Sequence, residues 1–321
     1  MNDGREPAPL LSVVVEFQTA GLAPEPSILA NVDEILRQVA ALPAPGGEVW
    51  LVSSEEWRER PRGVRNIVAK GSSYYALKNI GAQYASGNVI VFLDADCRIA
   101  TDYVDVVLRY FASNVWRGCV GGRTRYAGRS AASRVNTALS FGYLWTSPPH
   151  QRYPLLAHNV AVRRSTMPVP PFGPFHGRVR GDMHLTNYYR ERGEGPDLEP
   201  SMLVDHEDCS FSPVLLIERH LREHLKHIDS PGELGLATPS GRAALRSALR
   251  SMTRRWHKLH AYGKAVGIGR MGVLFAIVAL PSYWLVDCVA VFLTLSVSVL
   301  GRRWVAYQNG TPLGSASVVC E

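Results

Sequence analysis

The sequence predicts an α/β domain on a mostly parallel sheet with flanking helices, extended by C-terminal amphipathic and transmembrane helices. Three observations carry that expectation. Between residues 11 and 111, β-branched runs alternate with stretches of helical spacing, the pattern of parallel strands joined by covering helices. A basic tract follows, with no acidic residue between Glu233 and Asp287. Residues 271–300 are then apolar, interrupted only by Pro281 and Asp287, and long enough for one tilted or kinked span or a hairpin broken at the proline.

The elements can be taken in order. LSVVVEF (11–17) is a short β-branched strand. Residues 27–41 carry Ile28, Val32, Ile35, Leu36 and Val39 at helical spacing. EVWLVSS (48–54) and RNIVA (65–69) read as two further strands. Helical spacing returns with Leu77, Ile80 and Tyr84, and leads into a fourth, fully apolar strand, NVIVFLDAD. Thr101 is placed to cap a helix that sets Val104, Val107, Leu108 and Phe111 on one face. Beyond residue 120 the signals weaken. SPPHQRYP and MPVPPFGPFHG read as Pro-rich loops suited to the wall or lid of a site. Ser212-Pro213 marks a helix start, followed by Val214, Ile217, Leu221, Leu225 and Ile228. A second amphipathic stretch sets Leu245, Leu249, Met252, Trp256 and Leu259 opposite its basic residues.

The 321 residues are 46% hydrophobic and 20% charged, enough for one large core or two small ones and unlike a disordered chain. The net charge of +7 points to an anionic partner. Much of it is local: Arg242, Arg246, Arg250, Arg254, Arg255, Lys258, Lys264 and Arg270 precede the apolar segment. That placement favours anionic membrane lipid over nucleic acid. MNDGREPAPL lacks a basic-then-apolar leader, and the five cysteines show no paired or metal-ligand spacing. A polar body on the cytoplasmic side of the cell membrane is the expectation.

The chemistry-bearing stretch is VIVFLDADCR (89–98). Strand alternation would aim Asp94 and Asp96 at one point beyond the strand. A hard divalent cation takes such carboxylates together with substrate phosphates. By itself, Asp-x-Asp is more often a strand-to-loop turn or cap.

Residues 74–105, YYALKNIGAQYASGNVIVFLDADCRIATDYVD, closely resemble the core of the family 2 glycosyltransferases. The matching positions are Lys78-Asn79, Ala85-Ser86-Gly87 and Asp94-Ala95-Asp96. The resemblance spans roughly residues 10–210 and implies a GT-A fold, a nucleotide-sugar donor and Mg²⁺ or Mn²⁺. It makes Asp94 and Asp96 the metal and donor ligands, with Lys78 and Asn79 also on the donor side. LAHNVAVRRS (156–165) resembles the acceptor-side segment and brings in His158 and Asn159. VRGDMHLTNYYRERG (179–193) resembles the Glu-Asp motif that opens a helix. There Asp182 matches the general base, and Gly181 stands where glutamate is usual. His206 falls where a histidine near the diphosphate is often found. The usual carboxylate after the second strand is missing, leaving Glu55 to substitute, with Glu16 and Gln18 as alternative readers of the nucleobase. MTRRW (252–256) shares only the Arg-Trp end of the processive motif, so one transfer per acceptor is expected.

The implied organisation is a GT-A domain over 1–210 and basic amphipathic helices over 211–268, on a membrane surface or packed on the domain. A transmembrane helix or hairpin over 269–303 and a tail over 304–321 follow. The implied reaction is an inverting transfer to a hydroxyl of a lipid-linked or glycan acceptor. A non-catalytic nucleotide-sugar-binding scaffold is the rival reading. A sugar-phosphate nucleotidyltransferase would need a Gly-rich loop after the first strand, where VEFQTAGLAP offers only Gly21.

Overall fold

The computed structural model describes residues 9–17, 25–56, 61–128, 130–146, 154–174, 181–207, 241–270, 272–278, 280–281, 285 and 318–320. The chain divides into two compact units, residues 1–124 with 147–207 and 310–321, and residues 125–146 with 208–309.

In the first unit, β1 (Leu11–Glu16) pairs in parallel with β2 (Gly47–Ser53) on one side and β4 (Val89–Asp94) on the other. β3 (Arg65–Ala69) extends the parallel set beyond β2. These are the four strands that alternation predicts. The strands on the far side of β4 are antiparallel: β7 (Asn159–Arg163) pairs with β4, and β6 (Cys119–Tyr126) with β7. β8 (Asp197–His206) follows β6 in the sheet, and β5 (Cys97–Ile99) pairs with β8. β9 (Val318–Cys320) adds to the opposite edge, on β3.

Helices cover both faces. α1 (Glu25–Ala40) and α3 (Tyr103–Ser113) pack on the face built from Val13, Val15, Val91 and Leu93. α2 (Tyr74–Tyr84) and α6 (Gly181–Glu191) pack on the face built from Val14, Val52, Ile90 and Phe92. The alternation of in and out along each strand is the ordinary pleat. α3 begins one residue later than the Thr101 cap predicts, with Asp102 at the cap position and no side-chain cap bond. The cause is tertiary: the Val104 N–H donates to Gln38 Oε1 of α1 at 3.0 Å, so an acceptor comes from a neighbouring helix instead.

The second unit contains α4 (Ala131–Phe141), α5 (Tyr143–Thr146) and α7 (Gly241–Tyr262). Ser130 caps α4 by accepting from Ser133 N at 3.0 Å. Lys258 on α7 donates to Leu139 O of α4 at 2.7 Å, and Arg134 to Gly267 O at 2.8 Å. Residues 272–278 are helical. Among the described residues, no helix is long and apolar enough to cross a membrane. The helix expected from Ser212-Pro213 and most of the apolar segment past residue 281 lie outside the described residues.

Candidate active site

The sheet order runs β3-β2-β1-β4, so the chain leaves β1 to one side and returns on the other. The carboxyl ends of β1 and β4 therefore flank a switch point, the usual place for a ligand on an open α/β sheet. Glu16 and Asp94 close these two strands as register partners. Both are buried on the α2 side.

Asp94 already has a protein cation. Lys78, fully buried on α2, donates from Nζ to Asp94 Oδ1 at 2.6 Å and to Leu93 O at 2.9 Å. Tyr74 Oη donates to the same carboxylate, at 2.8 Å to Oδ1 and 3.0 Å to Oδ2. Burial alone would raise the Asp94 carboxyl, but the Lys78 charge overrides it and holds the group below its ordinary value. Tyr74 and Lys78 stand four residues apart and so share a helix face.

Asp96 is built differently. The strand ends at Asp94, and Ala95-Asp96 form a turn, so the pleat does not bring the two carboxylates together. The β5–β8 ladder supplies the next contact instead: Cys97 pairs in register with His206, placing His206 Nε2 3.8 Å from Asp96 Oδ1. His206 Nδ1 lies 3.0 Å from Glu207 O, an acceptor only, which puts a proton on Nδ1 and turns Nε2 toward Asp96. Burial raises the Asp96 carboxyl, and the nearby Asp94 charge adds to the rise that His206 opposes.

His158 completes the cluster. Its ring stands edge-on to that of His206, centroids 5.3 Å apart, and its Nε2 lies 3.1 Å from Thr124 Oγ1. Burial and then His206 push its pKa down to about 3, so the ring is neutral at ordinary pH. Ligand atoms of Asp94, His158 and His206 lie within 4.8 Å of one another, as do those of Asp96, Cys97 and His206. Burial and the neighbouring carboxylates hold Cys97 well above its ordinary value, so it stays a thiol that donates to Asp96 at 3.8 Å. Carboxylate oxygens and imidazole nitrogens that face one another need a proton or a cation among them. This donor set fits a divalent ion such as Mn²⁺.

The remaining expected residues are more scattered. Asp182 lies in the first turn of α6, where its Oδ1 accepts from Met183 N at 2.9 Å. Its chain neighbour Gly181 packs against the ring of Tyr75, the residue next to Tyr74 on α2. Asn159 is wholly buried, accepting from Tyr103 Oη at 2.8 Å and donating to Arg123 O at 2.8 Å and Met202 O at 3.2 Å. Those bonds make it a staple between strands. Asn79 points away from Lys78 and holds the Pro-rich loop through Phe172 N at 3.0 Å and Gly173 O at 2.9 Å. Glu55 is exposed beyond β2, and Gln18 lies outside the described residues. Arg98 pairs with Asp205 at the surface, 3.0 Å away. The sequence reading missed Tyr74, although its i, i+4 spacing with Lys78 was a signal for it.

Residues 28–167 match the family model described as glycosyl transferase family 2. Asp182 and His206 lie beyond that match. No curated protein matches the chain. Among solved structures, a similar one is the mannosyltransferase PcManGT from Pyrobaculum calidifontis in complex with GDP-Man and Mn²⁺. It is 16% identical, with a TM-score of 0.49, over 89% of this chain and 88% of that chain.

Proposed function

From the premise that residues 28–167 form a family 2 glycosyltransferase domain, we propose a metal-dependent, inverting transfer from a nucleotide-sugar donor to an acceptor hydroxyl. The observation that carries this reading is the cluster of two buried carboxylates, Asp94 and Asp96, with the partly exposed His158 and His206 at the carboxyl end of the sheet. Asp96 and His206, with Asp94 and His158 beside them, would hold Mg²⁺ or Mn²⁺. When bound, the ion offsets charge on the departing nucleoside diphosphate. Lys78 keeps Asp94 ionised and in place. Asp182 takes the proton of the acceptor hydroxyl as its oxygen bonds to the anomeric carbon. The bond from that carbon to the diphosphate breaks with its electron pair on the diphosphate oxygen, and the configuration inverts.

The test uses purified protein with a panel of nucleotide sugars and Mn²⁺, reading melting temperature and release of nucleoside diphosphate. Asp182→Asn should lose turnover by about 10²–10⁴-fold while keeping the donor-induced rise in melting temperature. Near-normal turnover in that variant would remove Asp182 as the base. A donor-induced rise without any release in the unmodified protein would favour the scaffold reading.

The acceptor is proposed to be lipid-linked or a glycan at a membrane surface on the cytoplasmic side. What supports this is the second unit. α7 and its continuation carry Arg250, Arg254, Arg255, Lys258, Lys264 and Arg270. Trp256, Leu274, Ile277, Val278 and Leu285 are each about half exposed or more. An apolar hollow of about 410 Å³ lies among Thr253, Trp256, Ile277, Leu280 and Pro281. Exposed apolar side chains beside a one-signed charge suit an anionic bilayer. The full chain should float with vesicles containing phosphatidylserine, and Arg254→Glu/Arg255→Glu should weaken that flotation several-fold. Equal flotation of both proteins on neutral vesicles would replace this reading with a span past residue 281.

A further inference from the structure

We infer that Asp96, Cys97 and His206 form a site for a thiophilic divalent ion such as Zn²⁺. Two features of the backbone bring these side chains together independently. Cys97 and His206 are register partners on the antiparallel β5–β8 ladder, so their side chains leave the same face of the sheet. The next pair along, Arg98 and Asp205, points the other way and closes a surface ion pair at 3.0 Å. Asp96 reaches the same point from the turn before β5: its Oδ1 lies 3.8 Å from Cys97 Sγ and 3.8 Å from His206 Nε2. Ligand atoms of all three lie within 4.8 Å of one another. A tetrahedral zinc ion with its usual bond lengths sets sulfur, nitrogen and oxygen ligands about 3.4–3.6 Å apart. The two gaps to Asp96 therefore need to close by only a few tenths of an ångström.

The charges match a dication. Lys78 already neutralises Asp94 at 2.6 Å. On binding, the Cys97 proton passes to solvent and a sulfur–metal bond takes its place, so Asp96 and the thiolate bring two negative charges to the ion. His206 Nδ1 is engaged 3.0 Å from Glu207 O, the arrangement that orients a ligating imidazole through its other nitrogen. Asp96 and Cys97 are buried, whereas the His206 side chain is 21% exposed and marks the way in. Sulfur is what separates the ions: thiolate favours zinc and its neighbours, while Mg²⁺ takes oxygen. Asp96 and His206 are also the residues proposed to hold the ion of the transfer. Shared donors cannot serve two ions at once, so zinc excludes Mg²⁺ or Mn²⁺ and stops the transfer. That consequence rests on the metal-dependent reading of the function; the zinc site itself does not.

Cobalt is the probe, because a Co²⁺–thiolate bond gives a near-ultraviolet charge-transfer band that oxygen and nitrogen ligands do not. The full chain, reduced and freed of metal, is titrated with Co²⁺. The band should saturate at one ion per chain, disappear when an equivalent of Zn²⁺ is added, and survive a large excess of Mg²⁺. Cys97→Ser and Cys97→Ala should each lack the band and bind Zn²⁺ at least about 100-fold more weakly, a larger loss than an outer-shell contact costs. His206→Gln, at the partly exposed end of the site, should weaken Co²⁺ binding by a similar factor, so a folding failure at buried position 97 leaves the site testable. A band of full strength in the Cys97 variants assigns the sulfur to another cysteine and overturns the site. Absence of the band from the unmodified chain overturns it directly. Zn²⁺ should also release bound Mn²⁺, read as the sharp resonance of the free ion; both ions bound together would overturn the exclusion. If Mn²⁺ never binds, the metal-dependent reading of the transfer fails alone, and the cobalt band still decides the zinc site.

Discussion

At the amino end of the α2-facing side of the sheet, Glu48 accepts from Ser12 Oγ at 2.6 Å, Ser86 N at 2.7 Å and Ser86 Oγ at 2.8 Å, and pairs with Arg65. At the carboxyl end of the sheet, Asp96 faces the Cys97 thiol and the His206 imidazole, with the Asp94 carboxylate nearby. Both carboxylates are nearly inaccessible to solvent. Burial raises Glu48 too, but the bonds from Ser12 and Ser86 override it and the net shift is downward. For Asp96 burial wins. The difference separates two uses of a buried carboxylate. One is supplied by the protein with every donor it needs and ties β1, β2 and the α2–β4 loop together. The other is left short of positive charge, as a site must be if a cation is to bind there.

Breaking the carboxyl end should produce the larger effect. Asp96→Asn removes a proposed ligand of the ion, so turnover should fall by at least about 100-fold, more than loss of an outer-shell partner costs. The same variant should show no Mn²⁺-dependent rise in melting temperature. A rise equal to that of the unmodified protein would place the ion elsewhere.

The next effect belongs to Asp94, which resembles Glu48 more than it resembles its neighbour Asp96. Its cation is Lys78, with both side chains out of solvent. Lys78→Met leaves the Asp94 charge buried with only Tyr74 as a donor. The expected loss is about 3–5 kcal/mol, or roughly 10 °C in melting temperature. A loss below about 1 kcal/mol by denaturant titration would mean that the pair is not the main compensation for Asp94.

This contrast also marks how far the sequence could be read. The four parallel strands were legible because each is a short apolar run between turn signals. Gly87 was legible as a motif position, and the structure gives its cause: a Cβ there would lie 2.5 Å from Ser12 N. Asp94 and Asp96 were legible as a pair, but the pleat argument for them was wrong because Asp96 sits in a turn. Its partner His206 arrives through a ladder more than a hundred residues away in sequence, and no local pattern encodes that register. Lys78 was read toward the donor, whereas its nearest charge is Asp94. Helical spacing places Tyr74 and Lys78 on one face but does not say which strand end that face meets. The antiparallel half of the sheet was not visible, because β6, β7 and β8 carry glycine, asparagine and charged residues where alternation would have marked a strand.

The smallest effect is also the sharpest test of the comparison, because its sign differs between the two ends. A carboxyl held below its ordinary value stabilises the fold above that value, and the gain is lost as pH falls through the lowered one. Glu48→Gln should therefore melt below the unmodified protein at pH 7.5, and the two should converge as pH falls below about 4. A carboxyl held above its ordinary value does the reverse: the fold is favoured while the group is protonated, and a penalty grows as pH rises through the raised value. In chelator, with no divalent ion present, Asp96→Asn should therefore melt above the unmodified protein at pH 7.5, and the gap should close toward pH 4. Saturating Mn²⁺ should invert the order at pH 7.5, because only the unmodified protein gains the ion. Shifts of the same sign for both variants in chelator would show that Asp96, like Glu48, is satisfied by the protein alone, and the case for a cation at the carboxyl end would then lose its electrostatic basis.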